Sequence, residues 1–124
     1  TCAILPLPVA TDDWRLRHKT TDRGFYDAAL AAARAAGADE ALFLRDDRLI
    51  TEGTFTNVFV RRSDGRLVTP RAELGLLPGV LRRSLIEADK VVEGDIAAAD
   101  LAEGFLLGNA LRGLMPARLL GAPE

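Results

Sequence analysis

Lysine is scarce enough in this chain to make each one chemically conspicuous. Its sixteen basic residues divide into fourteen arginines and two lysines, Lys19 and Lys90. A lysine amine can lose its proton and condense with a carbonyl, whereas a guanidinium stays charged. Lys19 lies in Arg17-His18-Lys19-Thr20-Thr21-Asp22-Arg23, between an expected strand and an expected helix start. Arg17 and Arg23 would oppose protonation of a nearby amine and favour its nucleophilic form. The same segment also reads as a solvated basic patch. A second stretch, Thr51-Glu52-Gly53-Thr54-Phe55-Thr56-Asn57-Val58-Phe59, can present the Glu52 carboxylate and several hydrogen-bonding groups at one sheet end. Its alternative is a turn whose Thr and Asn side chains satisfy themselves. In a third, Leu76-Leu77-Pro78-Gly79-Val80-Leu81-Arg82-Arg83, a Pro-Gly turn feeds a helix whose first N–H groups would point outward, which suits a phosphate. Arg82 and Arg83 could help hold an anion or be solvated.

Other chemistries find little support. His18 is the single histidine, so no histidine-pair metal site exists and no metal is expected. Ser63 and Ser84 lie in a predicted turn and a predicted helix, with no Gly-x-Ser-x-Gly elbow. Trp14 and Tyr26 read as packing residues and Cys2 as a small apolar one.

The elements that must position these residues follow from pattern. Residues 1–18 read as an extended lead-in interrupted by prolines. Asp22 can cap a helix to about Ala36, stopped by Gly37, with Phe25, Tyr26, Ala29, Leu30 and Ala33 on its apolar face. Strands at 41–44 and 49–51 flank Asp46-Asp47, and strands at 57–60 and 66–69 flank Ser63-Asp64-Gly65, where Gly65 supplies a positive φ. A loop from Pro70 to Pro78 precedes a helix from about Gly79 to Asp89 that would bury Val80, Leu81, Leu85 and Ile86. A short strand at 90–93, a helix from an Asp95 cap to Gly104, and closing strands at 105–107 and 114–120 complete the chain. Hairpins alternating with helices indicate α+β rather than a doubly wound sheet.

The 124 residues suffice for one domain, with 48% apolar content to build its core. A net charge of −2 leaves no electrostatic footprint for nucleic acid or an anionic membrane. A single cysteine excludes a disulfide scaffold and fits a cytoplasmic setting. No apolar run approaches the roughly 20 residues needed to span a bilayer. The start has no basic leader, so no signal peptide is expected. With no initiating methionine, the chain is expected to begin inside a longer protein.

Taken in order, Lys19-Thr-Thr-Asp-Arg, Thr51-Glu52-Gly-x-x-x-Asn57-Val-Phe, Leu77-Pro-Gly-Val-Leu-Arg82 and Gly108-Asn-Ala-Leu-Arg-Gly-Leu-Met-Pro116 resemble the C-terminal half of the class IV aminotransferases. These are pyridoxal 5'-phosphate enzymes of fold type IV. The likeness runs from about residue 15 to residue 120 and is strongest to the aminodeoxychorismate lyase branch, especially the form fused to 4-aminobenzoate synthase component I. The Lys-Thr-Thr start and the Asn-Ala-Leu-Arg-Gly-Leu-Met-Pro segment carry that narrower likeness.

The resemblance implies a mixed sheet or half-barrel with flanking helices, residues 1–124 forming one cofactor-binding domain whose N-terminal companion half is absent. It implies that Lys19 bonds the cofactor aldehyde and moves the substrate proton, and that Glu52 faces the pyridine nitrogen. The backbone of Val80 and Leu81 would bind the phosphate, with Asn109 and Ala110 on a second phosphate-side loop. The implied reaction converts 4-amino-4-deoxychorismate to 4-aminobenzoate and pyruvate in folate-precursor synthesis. A D- or branched-chain amino acid transaminase is the alternative, and an inactive folding or association module is a second. Gly24 stands where transaminases carry a tyrosine, Asp22 where the lyases carry asparagine, and Leu81 where transaminases carry threonine. A homodimer is implied for the full-length protein, together with a fused or partner synthase component.

Overall fold

Strand alternation sorts the apolar residues of this protein onto opposite faces of two sheets. The computed structural model describes residues 1–6, 24–74 and 76–120. In the first sheet, β1 (Cys2–Pro6) runs parallel to β2 (Glu40–Leu44), which pairs antiparallel with β3 (Ile50–Gly53). The second sheet has the order β6-β5-β4-β7-β8, from β4 (Asn57–Arg61), β5 (Leu67–Thr69), β6 (Val91–Glu93), β7 (Phe105–Asn109) and β8 (Gly113–Ala117). Only β5–β6 is parallel in that sheet, so the architecture is α+β with mixed sheets.

Leu42, Ile50, Val58, Val60, Val68 and Leu107 form the core between the sheets with Cys2, Ile96, Leu101 and Phe105. Cys2 is buried there, and desolvation pushes its thiol up to about 11, so it acts as a small apolar residue. The opposite faces take the helices. Ala29 and Ala33 of α1 (Gly24–Ala35) pack over Ala41, while Leu85 and Ile86 of α2 (Val80–Glu87) pack over Phe59, Leu67 and Val91. The four layers are therefore helix, sheet, sheet, helix. Edge contacts partly close the two sheets on each other. Cys2 N–H donates to Arg118 O at 2.9 Å, and Ile50 N–H donates to Ile96 O at 2.8 Å.

Several sequence expectations need correction. No helix runs from Asp95 to Gly104: only a 3-10 turn forms at Ala98–Leu101, where the Asp100 carboxylate accepts from Ala97 N–H at 2.8 Å. Val80 is 68% exposed rather than buried, and the buried member of the first turn of α2 is Arg82. That guanidinium reaches Pro70 O at 2.9 Å and the Glu93 carboxylate at 2.6 Å, pinning α2 to the 70–72 loop. The first hairpin turns through Arg48 at φ 72°, whereas the second turns through Gly65 at φ 87°, as its sequence requires. Among the described residues, no helix is long and apolar enough to cross a membrane.

Candidate functional site

Three chain segments converge because of sheet register. Asn57, the first residue of β4, lies opposite Gly108 near the end of β7. Its Nδ2 donates to Leu77 O at 3.0 Å, which brings in the segment leading to α2. Asn109 Nδ2 donates to Phe55 O at 3.1 Å and its Oδ1 accepts from Arg112 N at 2.8 Å, tying the β7–β8 turn to the 53–56 loop. Between these segments lies a cavity of about 640 Å³ lined by Glu52, Thr54, Thr56, Asn57 and Asn109, among others.

Glu52 is 3% exposed yet forms part of the cavity wall. Its Oε2 accepts from the Tyr26 hydroxyl at 2.9 Å and its Oε1 from Leu77 N–H at 3.2 Å. Donors to the charged form are what a buried carboxylate needs to remain an anion. Tyr26 is thus more than a packing residue, and its position in the sequence gave no sign of this contact. Three peptide links separate Leu77 from Val80, so their Cα atoms lie at most about 11 Å apart. The Glu52 carboxyl group and the start of α2 therefore line one cleft.

That helix start is open. Gly79 is its N-cap and provides no side-chain cap, which leaves first-turn N–H groups for an outside acceptor. A Cβ on Gly79 would come within 2.6 Å of Asn57 Oδ1, so glycine is what lets the turn approach β4. Val80 contributes to the cavity wall, whereas the Leu81 side chain lies over Gly108 and only its backbone belongs to the helix start. Arg83 lines the cavity and donates to Pro78 O at 3.4 Å. Of the two arginines, then, one braces the fold and the other edges the cleft.

The 53–56 loop is not self-satisfied. Its organiser is Glu40 at the start of β2, 2% exposed and outside the cavity lining. Oε1 accepts from Ala41 N, Thr54 N and Thr54 Oγ1 at 2.9, 3.0 and 2.5 Å; Oε2 accepts from Phe55 N at 3.2 Å and Thr56 Oγ1 at 3.0 Å. A Cβ on Gly53 would sit 2.6 Å from Glu40 Oε2, so that glycine admits the carboxylate. Sequence reading missed Glu40 because its loop donors lie 14 to 16 residues away.

Of the candidate residues, Glu52, Val80, Asn109 and Ala110 line the same cavity, whereas Leu81, the second residue of α2, is not among its lining residues. Lys19 lies outside the described residues, as do His18, Asp22 and Trp14. Among the described residues, no group of three His, Cys, Asp or Glu side chains could hold a metal ion.

A family model described as amino-transferase class IV matches residues 1–120. The chain belongs to that family. Class IV relatives include an aminodeoxychorismate lyase of Bacillus subtilis, 35% identical over 96 residues, covering 69% of this chain and 32% of that protein. The solved structure of a candidate amino-acid aminotransferase from Mesorhizobium loti is 39% identical with a TM-score of 0.88, covering 96% of this chain and 58% of that one. A hypothetical aminotransferase from Mycobacterium tuberculosis, solved with PLP bound, shares the fold at a TM-score of 0.88 and 21% identity, over 98% of this chain and 48% of that one. The chain spans between 30% and 49% of the length of the curated relatives it matches. The fold is that of the class IV enzymes, and the expected α+β class holds.

Proposed function

We propose that this chain is the cofactor-bearing half of a pyridoxal phosphate-dependent lyase that converts 4-amino-4-deoxychorismate to 4-aminobenzoate and pyruvate. The observation that carries the cofactor reading is the pairing, in one cleft, of the buried Glu52 carboxylate with the uncapped start of α2. The donor set fits pyridoxal phosphate: an anion for a protonated ring nitrogen at one end, open N–H groups for a phosphate at the other. When bound, the cofactor supplies an electron sink for the pair released at the substrate carbon. Glu52 holds the proton on the ring nitrogen. The Val80 and Leu81 N–H groups bind the phosphate, with Asn109 and Ala110 closing the same side. Lys19 anchors the cofactor and takes the proton from the amine-bearing ring carbon of the substrate. The bond between the ring carbon and the enolpyruvyl oxygen would then break, the departing enolate would take up a proton to become pyruvate, and aromatisation of the ring favours departure.

The lyase assignment is supported by the Lys19-Thr-Thr and Asn109-to-Pro116 segments and by the name of the Bacillus subtilis relative. The likeness to the Mesorhizobium loti protein favours an aminotransferase as the second reading. The intact protein is proposed to be a cytoplasmic homodimer, with a synthase component fused or associated. The test supplies aminodeoxychorismate with no keto acid and measures pyruvate. Release of pyruvate that Lys19→Ala abolishes is expected; a strict requirement for a keto acid acceptor would transfer the protein to the aminotransferases. Pyridoxal phosphate binding that Lys19→Ala leaves unchanged removes that residue from its assigned role.

A further inference from the structure

We propose that Tyr26 is a positioning residue for the cofactor ring, acting through Glu52 to keep that carboxylate ionised and aimed at the ring nitrogen. This rests on the cofactor reading above and extends it to a residue that touches neither substrate nor cofactor.

The phenol donates to Glu52 Oε2 at 2.9 Å, while Leu77 N–H holds Oε1 at 3.2 Å. The carboxylate is thereby gripped from α1 on one side and from the approach to α2 on the other. Both donors stabilise the charged form, and burial without them would favour protonation. Glu52 and a pyridine nitrogen would compete for one proton; each donor on the acid tilts it towards the ring, where it makes the cofactor electron-poor. Tyr26 is itself held firmly. Its ring meets Phe43 edge-on at 5.6 Å and 78°, and lies 4.1 Å from the Phe25 ring at 32°. Tyr26 also follows Lys19 by seven residues, so one hydrogen bond couples the helix that follows the lysine segment to the acid on β3.

Tyr26→Phe keeps the ring packing and removes the hydroxyl that donates to Glu52. The test uses the intact apo-protein and measures affinity for pyridoxal phosphate and for its 1-deaza analogue, which has carbon in place of the ring nitrogen. Loss of a hydrogen bond to a charged group predicts about tenfold weaker binding of pyridoxal phosphate. The analogue, with no nitrogen for Glu52 to address, should bind the variant within about twofold of its affinity for wild type. In a Glu52→Gln background, Tyr26→Phe should change pyridoxal phosphate affinity by less than about twofold. Equal losses for both compounds, no loss for either, or a tenfold loss that persists beside Glu52→Gln would each overturn the role given to Tyr26 while leaving the cofactor reading intact. Wild-type protein that binds no pyridoxal phosphate would instead overturn the cofactor reading, and this inference with it.

Discussion

Two buried glutamates, twelve residues apart, have been put to opposite uses. Glu40 is closed: five donors, four of them from the 54–56 loop, converge on its two oxygens, and it does not line the cleft. Glu52 faces the cleft: Tyr26 and Leu77 steady it from distant elements, and it forms part of the cleft wall. Burial alone therefore does not distinguish a carboxylate that braces a loop from one that fronts a cavity. The identity of the donors does. A carboxylate saturated by a neighbouring loop fixes that loop, whereas one set in a cavity wall stands where a guest can meet it.

The comparison breaks first at Glu40. In Glu40→Gln, the less costly amide orientation keeps the three bonds to Oε1 and places an NH2 where Oε2 had been. The Thr56 hydroxyl can rotate to accept, but Phe55 N–H then faces another donor. Loss of a buried charge with such tight partners predicts destabilisation of about 3 kcal/mol in urea unfolding. Because the loop forms one wall of the cavity, cofactor affinity should fall with stability. A change below about 1 kcal/mol would mean that the loop holds its shape without the carboxylate.

Glu52→Gln should show the reverse profile. The amide retains an acceptor, and the Tyr26 hydroxyl can turn to accept from the new NH2, so stability should change by about 1 kcal/mol or less. Cofactor affinity should fall by about 10- to 100-fold, the value of a charge-assisted hydrogen bond. A large loss of stability with unaltered cofactor binding would place Glu52 in the same structural role as Glu40.

The two glutamates also mark how far sequence can be read. Glu52 was legible because its own neighbours, Gly53 to Phe59, form a local pattern with a turn, hydroxyls and a strand. Gly37 and Gly65 were legible for a similar reason: each meets a left-handed turn, at φ 95° and 87°. Glu40 and Tyr26 were not, because each gains its meaning from a partner that only the packing of β2, β3 and α1 delivers. The 95–104 segment misled through its alanines, which favour a helix that the chain replaces with a single 3-10 turn before β7. Val80 misled because the apolar period of α2 carries through to its first residue, which lines the cleft rather than packing on the sheet.

Glu93 offers a scale for both, since it is a carboxylate with good partners in an open setting. It accepts from Ala72 N–H at 3.0 Å and from Arg82 at 2.6 Å, yet its side chain remains 43% exposed. The Ala72 N–H, followed by the Arg82 guanidinium, holds its carboxyl below the ordinary range. A folded-state value below the unfolded one means that its contribution is complete above the ordinary carboxylate range. That contribution disappears as pH falls through the lowered value. Solvent screening limits it to about 1 kcal/mol or less at neutral pH. Glu93→Gln should therefore trail wild type slightly in urea unfolding near about pH 7, and the two should converge as pH falls through the lowered value. A gap of the same size at both ends would assign the loss to altered packing around Arg82 rather than to charge, and Glu93 would then resemble Glu40 more than its exposure suggests.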